Sequence, residues 1–224
     1  MKLIAFLFLS FIINACSNKV DTKFIPKEFD FSDDKIGYGK TFIYKNFNTN
    51  QETFKDLKII NKNGKSYRTV KSYDSRSVSD SAIIYNGHTI ELHNFFMSGD
   101  GKITKGEKLQ DTVVSGNGKL GAHLTKWTYR TSQLIYTTSS EEKFIKDTSI
   151  SWQGNQLKCI VTQANGNISL QTINDVSANN QTAVVFKLYF AEGIGLIKFS
   201  IEFTDHNGKY SNNSWELVTI KEVQ

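Results

Sequence analysis

Gly195-Leu196-Ile197-Lys198-Phe199-Ser200-Ile201-Glu202-Phe203-Thr204 alternates with a period of two. Ile197, Phe199, Ile201 and Phe203 fall on one side of an extended chain and Lys198, Ser200 and Glu202 on the other, because successive side chains of a strand point to opposite faces. One dry and one wet face is the usual state of a strand in an antiparallel sheet. Upstream, Val184, Phe186, Leu188 and Phe190 form a second apolar row opposed by Val185, Lys187 and Tyr189. Downstream, His206-Asn207-Gly208-Lys209 supplies an Asn-Gly turn, and Trp215 to Val223 returns as a strand.

The same pattern runs back to residue 36. Asn61-Lys62-Asn63-Gly64-Lys65, Asn86-Gly87, Gly99-Asp100-Gly101-Lys102, Gly154-Asn155 and Asn165-Gly166-Asn167 each separate β-rich runs. They predict an all-β or mostly β fold over residues 36–224, an antiparallel meander of roughly ten or more short strands joined by hairpins, with few short helices. One helix start is offered by a capping box, Ser139 to Glu142, before Thr148-Ser149-Ile150-Ser151-Trp152 favours strand again. Composition does not shift along this stretch and no repeat of fixed period is present, which predicts one domain.

What precedes residue 36 is of a different kind. Met1 and Lys2 make a short positive end, and Leu3 to Ile13 is apolar except for Ser10. The run is about half of the roughly 20 residues that cross a bilayer as a helix, so residues 1–15 read as a signal peptide. Ile13-Asn14-Ala15-Cys16 then resembles the lipobox of bacterial lipoproteins. That resemblance implies cleavage before Cys16, a diacylglyceryl thioether on its sulfur and acylation of the new amino group by a palmitate-type chain. At about 0.8 kcal/mol per buried methylene, two or three acyl chains anchor a protein without a spanning helix. Residues 16–35 are polar, mixed in charge and hold the only proline, Pro26, as a tether does. Ser17 rather than Asp follows Cys16, and no acidic run follows it. By the sorting logic of related envelopes this resembles an outer-membrane lipoprotein facing the periplasm.

With Cys16 lipidated, Cys159 has no partner within the chain, and Leu157-Lys158-Cys159-Ile160-Val161 makes it a small buried hydrophobe rather than a nucleophile. Gly116-Asn117-Gly118-Lys119-Leu120-Gly121 matches a dinucleotide-binding fingerprint in letters, but a strand-like segment follows where a helix is required, so it reads as a loop. Asp100 to Glu107 matches the second part of a calcium loop, yet Phe96 and Ser98 stand at its first and third ligand positions, so no calcium is expected. His88, His93, His123 and His206 read as isolated histidines, and no metal site, catalytic set or cofactor is predicted. The chain carries 27 basic and 22 acidic side chains, formal net +5, reduced by one when Lys2 leaves with the leader. Its only arginines are Arg68, Arg76 and Arg130. Dispersed lysine describes a solvated face, and nucleic acid is not an expected partner.

Tyr189-Phe190-Ala191-Glu192-Gly193-Ile194-Gly195-Leu196-Ile197-Lys198 resembles the Gly-Val-Gly-Leu-Val-Lys stretch of uncharacterised exported proteins and lipoproteins of the Bacteroidota, sometimes called TapB-like. Gly154 to Cys159 is similar to an earlier strand of that family. The resemblance spans residues 148–204 and carries no catalytic residues. By looser analogy it implies a half-barrel, a curved antiparallel sheet around an apolar face.

These observations lead to a first expectation: a monomeric, non-enzymatic, membrane-anchored lipoprotein whose curved sheet binds an apolar ligand or an envelope protein, with Phe186, Phe190, Phe199 and Phe203 as candidate lining. A second is a glycan-binding surface lipoprotein using Trp127, Trp152 and Trp215, for which packing of those rings in the core is the competing reading. A third is a hydrolase with a site assembled from distant loops.

Overall fold

The computed structural model describes residues 39–62, 65–72, 77–85, 88–97, 103–114, 121–174, 179–204 and 208–223, with side-chain environments for 39–58, 104–112, 121–174, 180–204 and 208–222. The described residues form thirteen strands: β1 (Gly39–Lys45), β2 (Glu52–Lys62), β3 (Lys65–Ser72), β4 (Ser77–Tyr85), β5 (His88–Met97), β6 (Ile103–Lys105), β7 (Glu107–Val114), β8 (Ala122–Arg130), β9 (Leu134–Trp152), β10 (Asn155–Thr172), β11 (Asn179–Ala191), β12 (Gly195–Thr204) and β13 (Tyr210–Val223). They build one curved antiparallel sheet in the order β6-β5-β4-β3-β2-β1-β13-β12-β11-β10-β9-β8-β7. No helix occurs among the described residues.

The order is a meander whose first and last strands pair, Gly39 opposite Val223 and Lys45 opposite Glu216. The two edges, β6 and β7, are consecutive in the chain with only Gly106 between them. Among the described residues no strand pairing joins them side by side, so the sheet is not closed. Even so, β5 comes within 8 Å of β7 and β8. A single strand path, Ile103 to Val114, thus serves β5 with its first part and β8 with its second, and the sheet curls enough for its edges to meet.

The core lies where β1 and β2 meet β10 to β13. Phe42, Tyr44, Leu57, Cys159, Ile160, Phe190, Ala191, Leu196, Ile197, Phe199 and Leu217 form one buried cluster. Fully burying a Phe, Leu or Ile side chain contributes about 1.5–3 kcal/mol, so this cluster is the main source of cohesion. Two β-bulges shape it. On β12, Tyr189 pairs Lys198 but Phe190 pairs Leu196, leaving Ile197 as the extra residue, and the bulge delivers Leu196 and Ile197 together to the core. On β13, Ile43 pairs Thr219 but Tyr44 pairs Leu217.

The carbonyls at that second bulge are met by the tip of the β9–β10 hairpin. Trp152 Nε1 donates to Leu217 O at 2.8 Å and Gln153 Nε2 to Val218 O at 3.4 Å. The tip can turn sharply because Gln153 (φ 49°) and Gly154 (φ 80°) both adopt positive φ between the paired Trp152 and Asn155, the signature of a two-residue hairpin turn. The hairpin arm thereby reaches across to a strand 65 residues away and packs Trp152, Ile150 and Leu157 against the cluster.

Four expectations are corrected. The capping box at Ser139 to Glu142 opens no helix: all four residues lie within β9, paired to Asn167, Gly166, Asn165 and Ala164 of β10. Asn165-Gly166-Asn167 is not a turn but the middle of β10. A Cβ on Gly166 would come 3.2 Å from Ser139 O, so glycine is there for close strand approach. Consequently the strands are not all short: β9 has 19 residues and β10 has 18. The wet face assigned to β12 is also only partly wet, since Ser200 on that face is buried.

Candidate ligand-binding face

Register assigns the apolar residues to faces. Val184 pairs Phe203, Phe186 pairs Ile201 and Leu188 pairs Phe199, so these six side chains share the face that carries the core. On its flanks, β10 places Thr162, Ala164 and Gly166 opposite Leu188, Phe186 and Val184, and β13 places Trp215, Asn213 and Ser211 opposite Phe199, Ile201 and Phe203. The face therefore changes along its length. Toward Gly195, Phe199 is closed in: Trp215 stacks on it at 5.1 Å between centroids and Tyr44 meets it edge-on at 5.3 Å. Toward Thr204, Phe186, Ile201 and Phe203 are only half-buried.

Of the four phenylalanines expected to line a site, all lie on one face, but they divide into two pairs. Phe190 and Phe199 belong to the core, and Phe186 and Phe203 present part of their rings outward. On the β10 side they are flanked by the small residues Ala164 and Gly166. The aromatic residues weighed for sugar stacking are engaged otherwise. Trp127 is buried, Trp152 donates its N–H to Leu217 O, and Trp215 lies against Phe199.

No protein-family profile matches this chain, and no curated protein matches it in sequence. Among solved structures it is similar to a candidate lipoprotein of Parabacteroides distasonis, at 10% identity and a TM-score of 0.43 over 86% of this chain and 98% of that one. It is also similar to a candidate exported protein with a YmcC-like fold from Bacteroides fragilis, at 9% identity and a TM-score of 0.37 over 86% and 99% of the two chains. The hypothetical lipoprotein YmcC of Escherichia coli is similar at 14% identity and a TM-score of 0.32 over 81% and 84%. At this distance none of them assigns a role to any residue.

Beyond the apolar strip, the same face carries a polar row that sequence reading missed. His123 Nε2 lies 2.9 Å from Asp111 Oδ1, and Lys108 Nζ donates to Asp111 Oδ2 at 3.1 Å. His123 pairs in register with Glu142, whose Oε1 accepts from Thr162 Oγ1 at 2.5 Å. Burial pushes the Glu142 carboxyl above its ordinary range, against the opposing pull of the Thr162 hydrogen bond and the nearby His123. Burial acts on Asp111 in the same sense, but hydrogen bonds and charge from His123 and Lys108 outweigh it and hold that carboxyl low. His123 is thus not isolated as expected. His88, His93 and His206, Cys16 and residues 116–120 of the glycine-rich loop lie outside the residues whose side chains are described.

The row does not assemble a metal site: no group of three or more His, Cys, Asp and Glu able to hold a metal occurs among the described residues. Cys159 is 1% exposed, donates to Leu157 O at 3.6 Å, and has its thiol pKa raised by burial, the opposite of what activates a nucleophile. The hydroxyls of Thr125 and Ser140 are bonded to one another at 2.8 Å.

Proposed function

We propose that this chain is a lipid-anchored protein of the bacterial cell envelope, attached through Cys16 to the periplasmic leaflet of the outer membrane. It acts without catalysis, by holding an apolar ligand on the strip formed by Phe186, Ile201 and Phe203. The lipobox at Cys16 supports the anchor. The observation that carries the binding reading is the half-burial of three large apolar side chains, contiguous by register, on the face that elsewhere is packed into a core. Water-exposed apolar surface of this kind is favourable to cover.

The test is binding of N-phenyl-1-naphthylamine, a neutral apolar fluorophore that brightens when removed from water. The full-length chain is expected to bind it, and Phe203→Asp to lose at least about ten-fold in affinity, the consequence of placing a charge where about 1.4 kcal/mol or more of apolar contact had been. Equal binding by the variant, with its unfolding midpoint retained, would remove the strip from consideration.

A further inference from the structure

At the lower end of the strip, the β1–β2 hairpin presents two buried polar atoms without a hydrogen-bond partner among the described residues: Asn46 Nδ2 and Thr53 Oγ1. Asn46 is 1% exposed and Thr53 0%. The orientation of the Asn46 amide is not arbitrary, because its Oδ1 accepts from the backbone N–H of Asn48 at 2.9 Å and of Thr49 at 3.1 Å, which shapes the turn. The Nδ2 group is therefore the end left over. Thr53 pairs Tyr44 across β1 and β2, and Asn46, two residues beyond Tyr44, shares its face. The two residues are thus diagonal neighbours, their backbones roughly 7–8 Å apart by the geometry of an antiparallel pair. Each unsatisfied buried polar group costs about 1–3 kcal/mol, so two side by side call for an explanation.

Their surroundings say what would satisfy them. Lys55, two residues from Thr53 on the same face, holds its ammonium 4.7 Å from the centre of the Phe199 ring and 5.8 Å from that of Tyr44. An amide NH2 and an ammonium only donate and a hydroxyl can donate as well as accept, so the three together match a group that only accepts. The position shares a sheet face with the apolar strip, with the Phe199–Trp215 stack between them. Lys45 pairs Glu216, so Asn46 lies level with Trp215, which pairs Phe199; Ile201 and Phe203 follow on the same strand face.

We propose that the ligand is an amphiphile bearing an acyl head, a carboxylate or an ester carbonyl, with its head received by Asn46 Nδ2 and Thr53 Oγ1 near Lys55 and its hydrocarbon laid along Ile201, Phe203 and Phe186. This inference rests on the apolar-ligand reading above. A cationic head is disfavoured, bringing its donors to the Asn46 NH2 and its charge to the like charge of Lys55.

The experiment displaces N-phenyl-1-naphthylamine from the full-length chain with hexadecanoate, methyl hexadecanoate or hexadecylammonium. Hexadecanoate should compete about ten-fold better than hexadecylammonium, one charge-assisted hydrogen bond's worth. The ester's rank between them tells a free acid from an esterified acyl chain. Thr53→Val should weaken hexadecanoate about ten-fold, leave hexadecylammonium unchanged and leave the unfolding midpoint of the ligand-free protein equal or higher. Indifference to the head group overturns the inference while leaving the apolar site standing, whereas a chain that binds no fluorophore takes the apolar reading down first. A lowered midpoint in Thr53→Val also overturns it, since the hydroxyl would then be satisfied within the protein itself.

Discussion

Tyr44 and Thr53 face each other across β1 and β2, both are fully buried, and both carry a hydroxyl, yet only one of those hydroxyls is bonded. Tyr44 Oη donates to Leu196 O at 2.8 Å, whereas Thr53 Oγ1 has no partner among the described residues. Burial pushes the Tyr44 phenol far above its ordinary range, so it remains a donor at any working pH. Tyr44→Phe keeps the ring against Phe199 and deletes only the donor, so the cost is the net hydrogen bond plus part of the penalty for leaving the Leu196 carbonyl bare, about 1–2 kcal/mol. For a domain of this size that corresponds to a fall of roughly 2–8 °C in unfolding midpoint. Thr53→Val deletes the other hydroxyl, adds a methyl to a buried strand position and should leave stability unchanged or raise it by up to about 1 kcal/mol. Urea unfolding followed by tryptophan emission suits both variants, because Trp215 stacks on Phe199 in the same cluster. The reasoning fails if Tyr44→Phe is silent, or if the two variants lose stability equally, for then the bonding pattern would not govern the energetics.

Three further outcomes follow from other parts of the molecule. Glu142, whose carboxyl is raised by burial, favours the fold most below the unfolded-state value of about 4.3, and that contribution is lost as pH rises through its folded value; Asp111, held low, contributes above its unfolded value and loses this as pH falls. Glu142→Gln should therefore gain stability relative to the parent as pH rises from about 4, while Asp111→Asn should lose at neutral pH a difference that closes in acid; parallel pH profiles for the two variants would contradict the assignment. Gly154→Ala places a side chain at φ 80° with open space around it, so only backbone strain is felt, about 1–2 kcal/mol in urea unfolding. Cys16→Ser should abolish incorporation of labelled palmitate and release the protein from the membrane fraction of a Gram-negative host.

Alternation in Gly195–Thr204 and Val184–Phe190 identified strands and assigned their faces correctly, because a strand exposes its pleat directly in the residue order. The same rule could not say which apolar residues would be covered. Phe190 and Phe199 are indistinguishable by period from Phe186 and Phe203. What separates them is Tyr44 and Trp215, brought alongside by β1 pairing with β13, and a hairpin arm anchored through Trp152 on Leu217. Each of those contacts joins segments far apart in the chain, and no local window contains both partners. Glycine was ambiguous for a related reason. Gly154 serves a turn through its positive φ and Gly166 serves close strand contact through its missing Cβ, so the same Gly-Asn spelling carries two physical uses. The Asp111–His123 pair was hidden because a register shift between Lys108 and Gln110 sets which residues of β7 meet β8. The orphan donors were hidden because a missing partner leaves no mark in the residue order. It follows that the strand pattern is readable wherever periodicity is local, while a site built at the junction of the chain's two ends becomes visible only once β1 and β13 are paired.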